Sequence, residues 1–234
     1  LLKNIVLTGR SYLTPSNARA VLTPVEITRL ESPSFSHLAA KTMKPSQNMF
    51  TETILWTLGE SLRQVLLKDD EGPKDDDPQR EERKLLLKLD SSELGRIVVD
   101  SELHEMGMPR DAVLQYDGSG LSRHNQVTPS AVVTLYTYMA KQSKNTQVWR
   151  DSLTVGGVDG TLSRRFAGTT AAGNIRGKTG TLDQVSALSG YLTTAGGEEI
   201  VLSIMVNGVA EPRTRTSLID DIVVQLANFN GKID

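Results

Sequence analysis

Residues 183–192 alternate between apolar and small or polar side chains, and the pattern continues through residues 199–207 after Ala195-Gly196-Gly197. Strand side chains alternate between faces and a glycine pair favours a tight turn, so this predicts an antiparallel hairpin of residues 180–194 and 199–207. Several helices are read elsewhere in the chain, and hairpin strands plus helices predict an α+β domain, an antiparallel sheet flanked by helices. Lys178-Thr179-Gly180 leads into the first strand. A glycine there lets an extended ligand lie against the backbone, where a side chain would hold it off.

Residues 1–33 carry short β-like runs broken by Gly9, Pro15 and Pro24, and read as strands and loops. A helix is predicted from Ser46, with Phe50, Ile54, Leu58, Leu62, Val65 and Leu66 on one face, widened by Met49 and Trp56. Ser46 and Asn48 then read as ordinary capping residues. Residues 68–84 are mostly charged and predict a solvated loop. A second helix is expected over 85–106, with Leu94, Ile97 and Val98 inward, ended by Gly107 and Pro109. Thr128-Pro129 caps a third helix bearing Val132, Leu135, Tyr136 and Met139 on its buried face. Residues 145–173 read as a short helix and glycine-rich loops. A last helix over 213–229 points Leu218, Ile222, Val223 and Leu226 inward.

At 234 residues the chain can bury a sizeable core, as one domain or two small ones. A net charge of −2 gives no case for nucleic acid as a partner. The absence of cysteine excludes disulfides and thiolate-bound zinc, and is compatible with a periplasmic or cell-surface location. His37, His104 and His124 are far apart in sequence and give a metal site little support.

Three motifs occur in order: Asp117-Gly118-Ser119-Gly120-Leu121-Ser122-Arg123-His124-Asn125, Gly156-Gly157-Val158-Asp159-Gly160-Thr161-Leu162, and Lys178-Thr179-Gly180-Thr181. With Glu31-Ser32-Pro33, Lys44-Pro45-Ser46-Gln47-Asn48 and Glu52, the set resembles the low-molecular-mass class C penicillin-binding proteins, the D-alanyl-D-alanine carboxypeptidase/endopeptidases of peptidase family S13. The resemblance implies the penicillin-recognising transpeptidase fold, a five-stranded sheet with helices on both faces, here incomplete at its N-terminus. On that reading residues 1–33 end an inserted region and re-enter the catalytic domain, and 34–234 form its C-terminal part.

The resemblance also implies roles. Ser122 stands where the family's second-motif serine would relay a proton to the leaving nitrogen, held by Lys178. The plain alternative is a loop serine capping its own turn. The superfamily pattern is Ser-x-Asn, which here meets His124, whereas Asn125 fits a Ser-Arg-x-Asn variant. Either Asn125 reaches the substrate amide, or His124 does and Asn125 braces the loop. Thr179 would bind the terminal carboxylate, Gly180 admits the substrate, and the Thr181 N–H would form half an oxyanion hole. Asp117 and Asp159 read as side chains bonding their own turns. Arg164, Arg165 and Arg176 read as solvated, with attraction of an anionic peptide as the alternative.

The nucleophile of this superfamily comes from Ser-x-x-Lys at the start of a helix. No lysine here has a serine three residues before it. The chain is therefore expected to lack the nucleophile segment, as the C-terminal portion of a longer DD-peptidase whose partners are peptidoglycan stem peptides, β-lactams and that missing segment. No cofactor is implied. The rivals are a homologue that has lost its nucleophile and binds muropeptides or scaffolds cell-wall enzymes, and a β-lactamase or esterase on the same fold.

Overall fold

Among the described residues, four helices precede the first strand, and the longer strands lie between residues 176 and 207. The computed structural model describes residues 31–70 and 78–232. In chain order the elements are α1 (Phe35–Met43), α2 (Asn48–Asp70), α3 (Arg80–Leu86), α4 (Ser91–Glu105), β1 (Val113–Leu114), β2 (Gln126–Val127), α5 (Pro129–Lys141), α6 (Thr146–Ser152), β3 (Thr154–Val155), β4 (Arg176–Leu182), β5 (Val185–Thr193), β6 (Glu199–Asn207) and α7 (Pro212–Asn228). The strands expected in residues 1–30 lie outside the described residues.

The predicted hairpin is present as β5 and β6, paired from Val185↔Asn207 to Thr193↔Glu199. The run expected as one strand over 180–194 is two, β4 and β5, folded at Asp183-Gln184 with Gln184 at φ 58°. Among the described residues the larger sheet is antiparallel with order β3-β4-β5-β6, four strands against the five that the resemblance implied. Alternation along β5 sends Leu188 and Leu192 to a core shared with Ile219, Val223 and Ala227 of α7. Tyr191 points to the opposite face, where it packs with Tyr136 of α5 and Leu153. Helices therefore cover both faces. Burying each such side chain contributes about 1.5–3 kcal/mol, so the two cores anchor β5, to which β4 is tied by its ladder.

Helix boundaries differ from expectation where side-chain chemistry outweighs apolar spacing. The helix expected over 85–106 is divided, because Asp90 accepts from Glu93 N (2.8 Å) while the Glu93 carboxylate accepts from Asp90 N (2.8 Å). That capping box starts α4 afresh at Ser91. The charged stretch 68–84 is not all loop, since α2 reaches Asp70 and α3 starts at Arg80. The Thr128 cap on α5 is as predicted, with its hydroxyl accepting from Ala131 N at 3.1 Å. On α7 the buried line is Arg215, Ile219, Val223 and Ala227, while the expected Leu218 and Ile222 are exposed. Arg215 can be buried because it donates to Ser186 Oγ (3.0 Å) and to the carbonyls of Val209 and Ala210.

Helix α2 begins at Asn48, not Ser46, and its buried line is Leu55, Gly59 and Leu66. Phe50 and Val65 are exposed, as are Met49 and Trp56. The face is rotated because α4 crosses α2 at two glycines. A Cβ on Gly59 would lie 1.7 Å from Ser91 O, and one on Gly95 would lie 2.2 Å from Leu55 O. Neither position tolerates a side chain without moving backbone. Gly59→Val is accordingly expected to cost about 1–3 kcal/mol or more by overpacking, measured as a shifted urea midpoint with native-like helix content below the transition.

Candidate active site

Beyond Gly177 the outer edge of β4 is unpaired among the described residues, because β3 ends after matching Gly177 and Arg176. Lys178 to Leu182 thus face a cleft of about 770 Å³, closed on its other sides by the turn before α2 and by the loop between β1 and β2. An unpaired strand edge beside a cleft is a template for an extended peptide.

Lys178 pairs in register with Ser189, which sets its side chain on the sheet face opposite α7. Its ammonium donates to Ser46 Oγ at 2.8 Å and to Thr179 O at 2.7 Å. Burial lowers its pKa from the ordinary lysine value, since the charged form loses water. Ser46 is not a helix cap: it sits in the tight turn between α1 and α2 at φ 60°, a left-handed conformation that is unfavourable for a serine. Asn48, two residues on, opens α2 and lines the cleft beside Ser46. Thr179 Oγ1 donates to Thr161 Oγ1 at 2.8 Å, which brings Thr161 into the same wall. Gly180 and Thr181 complete that wall.

Ser122 lines the cleft but makes no hydrogen bond with Lys178. Its N–H donates to Asp117 Oδ2 (2.8 Å) and its Oγ accepts from His124 N (3.2 Å). The Asn125 amide is committed to the loop, Oδ1 accepting from Tyr116 N (2.7 Å) and Asp117 N (3.2 Å) while Nδ2 donates to Asp117 Oδ1 (3.0 Å). His124 packs against the Tyr116 ring, with centroids 5.2 Å apart. Asp117 also accepts from Gly120 N at 2.7 Å. Burial alone would raise its carboxyl, but the hydrogen bonds from Asn125, Gly120 and Ser122 prevail and hold it below the ordinary carboxylate range. Glu52 of α2 ties this loop down by accepting from Gly118 N (2.8 Å) and Ser119 N (2.9 Å).

Asp159 does bond its own turn, accepting from Val155 N at 2.8 Å, and it also pairs with Lys44. Here too burial would raise the carboxyl, and the Lys44 and Val155 hydrogen bonds outweigh it and lower it. Arg165 is paired with Asp220 of α7. Among the described residues no group of three His, Cys, Asp or Glu side chains is placed to hold a metal ion.

A lysine on a free strand edge, hydrogen-bonded to a serine that begins a Ser-x-Asn turn, defines the class of site found in penicillin-recognising enzymes. Residues 84–229 match the D-Ala-D-Ala carboxypeptidase 3 (S13) family, and the chain belongs to that family. It is 40% identical over 142 residues to the D-alanyl-D-alanine carboxypeptidase of Actinomadura sp. (strain R39), covering 58% of this chain and 26% of that protein. It is 35% identical over 120 residues to the carboxypeptidase DacB of Haemophilus influenzae, covering 50% and 25% respectively. The chain thus spans about a quarter of the length of these relatives. Penicillin-binding protein 4 of Haemophilus influenzae, solved in complex with a β-lactam, superposes with a TM-score of 0.63 at 25% identity, covering 86% of this chain and 45% of that one.

In sequence Ser46 and Asn48 read as caps, although Ser46-Gln47-Asn48 has the Ser-x-Asn spacing that Ser122 lacks. Two outcomes follow from the loop. Asn125→Ala is expected to cost about 1–3 kcal/mol by leaving loop donors unpaired, and Ser122→Ala less, measured by urea denaturation. Asp117 and Asp159 have lowered folded pKa values, so their stabilisation is present above the ordinary carboxylate pKa and is lost as pH falls through the lowered values. Urea midpoints measured from neutral to acid pH should therefore fall less steeply in Asp117→Asn than in the parent.

Proposed function

We propose that the protein bearing this chain is a serine-type D-alanyl-D-alanine carboxypeptidase/endopeptidase acting on peptidoglycan stem peptides outside the cytoplasm. The observation that carries this reading is the 2.8 Å hydrogen bond from Lys178 to Ser46, set beside the free edge of β4. The nucleophilic serine belongs to a Ser-x-x-Lys segment outside these 234 residues, as none occurs within them.

In the proposed cycle the peptide lies along Lys178 to Leu182 with its terminal carboxylate at Thr179, Thr161 and Thr181. The nucleophile's oxygen attacks the carbonyl carbon of the penultimate D-alanine, and the Thr181 N–H takes part of the oxyanion charge. Lys178 donates to Ser46 Oγ, which leaves the Ser46 hydroxyl proton free to point into the cleft. That proton passes to the departing amide nitrogen as the C–N bond breaks. The nucleophile's proton returns to Ser46, and the acyl group remains as a serine ester until water cleaves it. Ser46 thus takes the relay role that the sequence suggested for Ser122, and Asn48 takes the substrate-amide role suggested for Asn125. Ser122 and Asn125 shape the opposite wall. A β-lactam enters the same path, with its carboxylate at the same threonines.

Intact-mass spectrometry of the full-length protein with benzylpenicillin tests the reading. A single adduct is expected, on a serine outside residues 1–234. Ser46→Ala should slow its formation by about 10²–10⁴-fold, the usual weight of a positioned proton relay, and Ser122→Ala by a few fold at most. No adduct on the full-length protein would support a homologue that binds without acylation. An adduct mapped to Ser46 would make that residue the nucleophile instead of the relay.

A further inference from the structure

Ser46 stands outside both neighbouring helices, in a backbone conformation that serine does not favour, so something else must hold it against Lys178. The anchor is two residues upstream. Lys44 pairs through Nζ with Asp159 Oδ2, and the other oxygen of that carboxylate accepts from Val155 N at 2.8 Å. The Lys44 carbonyl accepts from Thr161 N at 3.2 Å. Gly160 presses so close beneath it that an added Cβ would lie 2.5 Å from Lys44 O. Side chain and backbone of Lys44 are thus both fastened to the turn that carries Thr161.

These ties close a ring. Ser46 leads to Lys44, Lys44 to Asp159, and Asp159 to Val155 of β3. Val155 pairs with Arg176 of β4, and two residues further on Lys178 returns to Ser46. A second path runs from Lys44 O through Thr161 to Thr179. Neither Lys44 nor Asp159 lines the cleft. Each is about a quarter to a third exposed, 26% and 34%, so the pair adds little to stability as a surface ion pair. Its position in the ring gives it a different task.

We propose that Lys44 and Asp159 are positioning residues that set the distance between the Ser46 hydroxyl and the Lys178 ammonium. They touch neither substrate nor reacting atoms and act through Ser46. The inference rests on the reading of Ser46 as the proton relay. A misplacement of about 1 Å in such a relay is enough to cost about 10²-fold in rate.

The test is a double-mutant cycle in the full-length protein, reading the second-order rate constant of acylation by benzylpenicillin together with the melting temperature. Lys44→Met and Asp159→Asn are each expected to slow acylation by about 10–10²-fold with a small change in melting temperature, and Lys44→Arg should recover most of the rate. In a Ser46→Ala background, Asp159→Asn should cause no further loss. An equal loss in both backgrounds would overturn the inference and leave the relay standing. So would a rate loss that tracks a lowered melting temperature and is not recovered by Lys44→Arg. Unchanged acylation in Ser46→Ala itself would remove the relay, and the inference with it.

Discussion

The hydrogen bond between Lys178 and Ser46 joins the two halves of this molecule. Lys178 belongs to the sheet and is held by the ladder from Arg176↔Tyr191 to Leu182↔Val185, whose partner strand β5 is packed by cores on both faces. Ser46 belongs to the helical half, in the turn between α1 and α2. A lysine sunk in the sheet face loses hydration, which lowers its pKa and makes an oxygen acceptor valuable. Ser46 supplies that acceptor. The same contact places a hydroxyl group beside a strand edge that is unpaired among the described residues, so one interaction both satisfies a half-buried cation and assembles a site.

Around that contact the walls are made stiff by different means. The sheet wall is stiff because its strands are sandwiched between apolar cores. The wall formed by the 117–125 loop has no such core beneath it and is instead cross-tied by polar groups. Asp117 and Asn125 collect its backbone N–H groups from within, and Glu52 collects two more from α2. Each of these carboxylates and amides accepts at least two bonds, which offsets the cost of withdrawing polar backbone from water. Both walls are thus tied to the fold by contacts that need no ligand.

Membership of the S13 family accounts for the order of the motifs along the chain. Their assembly in space shows which of them meet. Ser122 and Asn125 look like a second catalytic motif in one dimension; in space both line the cleft while bonding to Asp117 of their own loop. Ser46-Gln47-Asn48 looks like a helix start and proves to stand against Lys178. The Ser-x-Asn spacing was present to be read. Serine and asparagine before an apolar run are also the usual mark of a cap, and that reading hides the spacing.

Local physics made much of the fold legible in one dimension. Alternation gave away β5 and β6, the Thr128-Pro129 pair gave away the start of α5, and Lys178-Thr179-Gly180 marked the strand edge of the site. Asp90 and Glu93 were an equally local signal, hidden by apolar spacing that runs on through the break. Other features depend on partners distant in sequence. Two glycines that admit a close helix crossing chose the buried face of α2. Carbonyls and Ser186 waiting at the end of the sheet allowed Arg215 to be buried on α7. The role of Ser46 depends on Lys178, 132 residues away, and on the Lys44–Asp159 pair, whose members lie 115 residues apart. The sequence alone determined most of the longer secondary elements and the inventory of reactive groups, because those follow from backbone propensity and from neighbours within a turn or two. Only the tertiary structure decided which serine meets the lysine, because hydrogen bonds act over about 3 Å in space, whatever the separation along the chain.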